Sequence, residues 1–152
     1  MNLLKQHPLR RRGAGALRRP GRRAVDRCGA AVVEFAVVAP VFFMLVVGII
    51  EVGRAMMVQQ VLINASREGA RRASMLASNQ TVVLNAVSEY TDGTGVHGVT
   101  ATVSPDPAAA SAGDQITVTA TVNFNDVSWM PAPWIMGGKN LTASAVMRKE
   151  GF

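Results

Sequence analysis

From Gly29 to Ile50 the chain reads GAAVVEFAVVAPVFFMLVVGII, almost wholly apolar, with Glu34 as its only charge. A bilayer core about 30 Å thick needs roughly 20 apolar residues of helix, so this stretch is long enough to span. Beyond Ile50 the pattern becomes amphipathic. Val58, Val61, Leu62, Ala65, Gly69, Ala73 and Leu76 recur at steps of three or four, which places them on one helix face. Gln59, Gln60, Ser66, Arg67, Arg71 and Ser74 fill most of the rest. The pattern predicts one helix from about Ala30 to about Leu76, roughly 70 Å at 1.5 Å per residue. Half of it belongs in lipid, and Pro40 predicts a kink that membrane helices tolerate. Gly69, four residues after Ala65, has two readings. It lets another backbone approach closely, or it only lowers helix stability.

Ser78 to Thr91 predicts a second, shorter helix with Val82, Val83, Ala86, Val87 and Tyr90 on its apolar face, ended by Asp92-Gly93. From there the period falls to two. Val99, Ala101 and Val103 form one alternating set, Ile116, Val118, Ala120 and Val122 a second, and Leu141, Ala143, Ala145 and Met147 a third. These are half-buried strands. Pro105, Pro107 and Gly113 make a loose turn between the first two. Between the last two, Trp129 and Trp134 are expected to cover the small core. A three-stranded sheet has one apolar face to bury, and the exposed half of the long helix is its natural cover.

Charge sharpens the picture. The first 28 residues hold nine Lys or Arg against one acid, Asp26, whereas the remainder holds seven against nine. The net charge of +6 thus describes the head of the chain. A basic cluster beside a spanning helix obeys the positive-inside rule, which predicts a cytoplasmic N-terminus and a C-terminal domain across the membrane. Repeated arginines would also suit a nucleic-acid arm, but the segment has no aromatic residue to stack on bases. A cleaved signal peptide has a similar layout; here no small-x-small site follows the apolar region before Glu51 and Arg54. Cys28 is the only cysteine and precedes the apolar region, so neither an internal disulfide nor a lipoprotein acceptor is expected. Glu51 with Arg54, and Glu68 with Arg71 or Arg72, are spaced to pair along the helix.

The residues offer no enzymatic chemistry. His7 and His97 are the only histidines, no Cys/His cluster has metal-ligand spacing, and no phosphate-cradling loop is present. The expectation is no catalytic activity, no cofactor and no metal.

The basic head, Gly29, the apolar helix and Glu34 together resemble a prepilin. Gly29 would be the last leader residue, Ala30 the first mature residue, and Glu34 the fifth, followed by Phe35. The segments GAAVVEFAVVAPVF, GIIEVGR and NASREGARRA, over Gly29 to Ala73, with the closing ASAVMRKE, resemble the TadE-like pseudopilins of the tight-adherence (Flp) pilus system. The resemblance implies an α+β, type IV pilin-like fold. It implies cleavage by a prepilin peptidase between Gly29 and Ala30, and a pairing of Glu34 with the new ammonium of a neighbouring subunit, with Phe35 beside it in assembly. It implies other pilins, pseudopilins and inner-membrane assembly proteins as partners, besides membrane lipid, and no nucleic acid. The expected organisation is a basic leader over 1–29, the transmembrane half of the helix over 30–52, its exposed half over 53–77, and a short helix with the sheet domain over 78–152. The location is then the inner membrane, with the pilus as a second place. The alternative is a single-pass, envelope-anchored binding module with no pilus role; a cytoplasmic nucleic-acid regulator is a third reading.

Overall fold

The computed structural model describes residues 23–130, 133 and 135–151. The chain divides into two units, Met1–Pro40 and Val41–Phe152. Helix α1, Arg23–Ser74, passes from the first into the second. It begins at Arg23 rather than at Ala30 because no Gly or Pro lies between Arg23 and Cys28. Extending an existing helix is far easier than nucleating one. In the first unit Val32, Val33, Phe35, Val37 and Val38 are all exposed. In the second, the exposed apolar run continues through Val41–Leu45 to Ile49 and Ile50. A helix that is apolar all round has no polar face to offer water, and this one is long and apolar enough to cross a membrane.

The second unit is an α+β domain. The C-terminal half of α1 packs on a three-stranded antiparallel sheet of order β1-β2-β3: Thr100–Ser104, Gln115–Asn123 and Asn140–Arg148. The register aligns Ala101, Ala120 and Ala143 across the three strands, and likewise Val103, Val118 and Ala145. Ile116, Val118, Ala120 and Val122 are buried, while the intervening threonines are only partly so. The two-residue period thus puts the expected side chains on the inner face. From α1, Val58, Leu62, Ala65, Ala70 and Ala73 enter the core. Ser66, expected on the polar side, is also buried, and its hydroxyl donates to the Ile63 carbonyl at 2.9 Å. The buried stripe is wider than a single row of threes and fours.

Two of the expected apolar positions face water instead. Leu76 is exposed, because α1 stops at Ser74 and Met75 N turns back to the Arg72 carbonyl. Helix α2, Gln80–Gly93, buries Val83, Val87 and Thr91 but leaves Val82 exposed. Its start is fixed by Asn79, whose side chain accepts from Val82 N at 3.0 Å; this N-cap satisfies one of the four free N–H groups of the first turn.

A four-residue helix, α3 (Phe124–Val127), follows β2 directly, and the period-two pattern gave no sign of it. Phe124 and Val127 are buried there and belong to the core. Trp129, expected to cover the core, is 71% exposed, which corrects that expectation; Trp134 lies outside the described residues.

Gly69 is a point of close approach. A Cβ there would lie 2.7 Å from Val87 Cγ2 and 3.0 Å from Val118 Cγ1. The absence of a side chain lets α1 settle against α2 and β2 at once.

Candidate processing and assembly site

The segment Gly29–Phe35 lies within α1, and every residue in it is exposed. A Cβ at Gly29 would meet nothing within 4 Å, so packing does not require glycine there. Five residues on, Glu34 stands about 7.5 Å further along the helix at the ordinary rise. It takes no part in the ion pairs among the described residues. Phe35, beside it, is 71% exposed. A carboxylate and a large aromatic ring, both uncovered on an apolar helix, have surface free for another molecule. A charged side chain at membrane depth is costly unless it finds a partner.

A second carboxylate behaves differently. Glu51 follows directly on the apolar run, and local spacing pairs it with Arg54. The structure corrects that pairing. Glu51 is 2% exposed, and its carboxylate accepts from Ile135 N at 3.1 Å and Met136 N at 2.7 Å. Buried backbone N–H groups need acceptors, and Glu51 supplies them to the β2–β3 connection. Arg54 turns away: its Nε donates to the Val127 carbonyl at 2.9 Å, and its guanidinium lies 4.9 Å from the centre of the Trp129 ring. That stacking is a cation–π contact.

Farther along α1, Glu68 takes both arginines that spacing offered. Arg71 and Arg72 donate to its carboxylate at 2.6 and 2.9 Å. These hydrogen bonds, Arg71 first, lower its pKa to about 2. Beyond the end of α1, Lys149 is buried and its Nζ donates to the Met75 carbonyl at 2.6 Å, while Glu150 N donates to the Ser74 carbonyl at 2.8 Å. A cation at the C-terminal end of a helix also suits the helix dipole.

The family model described as TadE-like protein matches residues 29–71. The chain carries a TadE-like N-terminal region. It begins at Gly29 and ends at Arg71, so it takes in the exposed Gly29–Phe35 segment, Glu51, Gly69 and Glu68. No curated protein and no solved structure matches the chain. Among the described residues, no three His, Cys, Asp or Glu side chains form a group that could hold a metal ion.

One motif nominates Gly29, Ala30, Glu34 and Phe35, while sequence reasoning missed the contacts of Glu51 and Lys149. The partners of Glu51 are 84 and 85 residues away, so no local spacing pointed to them. The one available signal was a lone acid abutting a spanning stretch with no basic residue nearer than Arg54.

Proposed function

We propose that this chain is a minor pilin or pseudopilin of a tight-adherence (Flp-type) pilus or related secretion apparatus. A prepilin peptidase matures it by cutting between Gly29 and Ala30. The observation that carries the reading is the TadE-like match starting at Gly29, on a helix long and apolar enough to cross a membrane, with an exposed glutamate five residues on. The chain is a substrate of that protease and performs no catalysis of its own. Its N-terminus stays on the cytoplasmic face, in keeping with the basic head, and the sheet domain stands outside. After cleavage the Ala30 ammonium meets the Glu34 carboxylate of a neighbouring subunit. Each charge offsets the cost of placing the other in an apolar assembly.

Two substitutions separate the steps. Gly29→Val disturbs no packing, since a Cβ there has open space, but it crowds the scissile bond. It should leave a full-length band. Glu34→Gln keeps the side chain's shape and removes its charge; it should give a mature-size band with an N-terminus at Ala30 and defective pili. An uncut wild-type chain would remove the processing reading and leave a plain membrane anchor with a binding domain. Normal pili from Glu34→Gln would remove the pairing.

A further inference from the structure

The described residues of the β2–β3 connection are held at its base and carry exposed apolar side chains. Its base is closed by Phe124 N donating to the Lys139 carbonyl at 2.8 Å and by Gly138 N donating to Asn125 Oδ1 at 3.0 Å. At its far end Trp129 is 71% and Ile135 51% exposed. Ile135 does not stand alone, because it lies against α1 at Gly48, within the exposed apolar run, and a contiguous apolar patch marks an interaction surface.

The loop is attached to α1 at three successive levels on one side. Ile135 Cδ1 lies 3.0 Å from where a Cβ of Gly48 would be. Glu51 accepts from Ile135 N and Met136 N. Arg54 holds the Val127 carbonyl and the Trp129 ring. From position 48 to position 54 is about 9 Å of helix rise. Gly48 belongs to the apolar run that ends at Ile50, so Ile135 sits alongside the spanning stretch itself. Irregular backbone at membrane depth is tolerated only when its N–H groups find acceptors within the protein, and the buried Glu51 provides them at that level.

We infer that Trp129 and Ile135 form the tip of a lipid-binding foot, seated in the headgroup and outer acyl region of the bilayer beside α1. The inference rests on the membrane-anchored reading above. Lipid is the occupant because the tip is continuous with the apolar surface of the spanning stretch. Tryptophan with a neighbouring arginine is the pairing that membrane–water boundaries favour, the ring lying at headgroup level and the cation reaching for phosphate. Ile135 also forms one wall of a groove of about 690 Å³ whose other lining is apolar, from Val41 to Met56; acyl chains fill such a surface without strain. The foot sets the height of the sheet domain above the bilayer and fixes its rotation about α1.

The test uses the full chain in phosphatidylcholine–phosphatidylglycerol vesicles at low protein-to-lipid ratio. Trp134→Phe leaves Trp129 as the sole tryptophan of the two. Lipids brominated near the headgroup should quench its emission more than lipids brominated near the chain ends, and aqueous iodide should quench it weakly. The wild-type protein is read in parallel, so that a misfolded variant cannot obscure the answer. Emission unaffected by either brominated lipid, in the variant or in wild type, overturns the inference while leaving the anchor intact. Failure of the protein to float with the vesicles removes the anchor reading itself. Iodide protection that disappears as lipid is added means that a second copy covers the tip, which also overturns the lipid assignment.

Discussion

Gly69→Ala adds one methyl group where α1 meets both α2 and β2, and the structure gives the size of the conflict. The new Cβ would lie 2.7 Å from Val87 Cγ2 and 3.0 Å from Val118 Cγ1, both well inside ordinary carbon–carbon contact. Neither neighbour yields easily. Val87 is a β-branched residue within α2, where one χ1 rotamer dominates, and Val118 is on the central strand of the sheet. Overpacking of this kind costs about 1–3 kcal/mol, whereas alanine regains about 1 kcal/mol of helix propensity over glycine. Gly53, in the same helix, is the control, because a Cβ there meets nothing within 4 Å. Gly53→Ala should raise the melting temperature of the detergent-solubilised protein, and Gly69→Ala should lower it. Their difference isolates the packing conflict at about 1–3 kcal/mol, and each kcal/mol moves Tm by about 4–8 °C in a domain of this size. Val87→Ala should cost less in the Gly69→Ala background than in wild type, with a favourable coupling of about 1 kcal/mol, as expected for residues in contact. If Gly69→Ala stabilises as much as Gly53→Ala, the close approach is wrong and Gly69 is only a weak helix former.

Glu51→Ala should free Ile135 N and Met136 N of their acceptor at a cost of about 1–3 kcal/mol, seen as faster amide exchange confined to the β2–β3 connection; unchanged exchange there would show that the carboxylate does not hold the loop. Glu68 has a folded-state pKa depressed from its ordinary 4.5 to about 2 by Arg71 and Arg72, so its stabilising contribution is present above pH 4.5 and is lost as pH falls toward 2. Glu68→Gln should therefore melt below wild type at pH 7 and converge with it near pH 2; a gap that persists at low pH would mean the carboxylate's charge is not the cause.

The elements of this fold were legible where a period runs undisturbed. The inner face of the strands followed from valines, isoleucine, alanines and threonines alternating without a break. The helix face followed from Val58, Leu62, Ala65 and Ala73. Errors arose where periodicity meets a boundary. Leu76 continued the three-and-four rhythm past the turn at Ser74, and Val82 sat one residue ahead of the true inner face of α2. Trp129 was assigned to the core by hydrophobicity, but an aromatic ring that stacks on an arginine is satisfied outside it. Gly29, Ala30, Glu34 and Phe35 were nominated together because one short motif spans them. The contacts of Glu51 and Lys149 were not legible, since each finds its partner across more than seventy residues.

The clasp between Lys149 and the end of α1 bears on when the domain can form during synthesis. The last turn of α1 is complete only when Glu150 N reaches the Ser74 carbonyl and the Lys149 ammonium reaches the Met75 carbonyl. Strand β2 likewise lacks one of its neighbours until β3 has been made. The first and last elements of the domain thus close on each other, and the two-stranded remainder that precedes β3 is marginal by itself. The sheet domain should therefore complete its core only after β3 has been made, so that its folding is governed by the last strand rather than by the first.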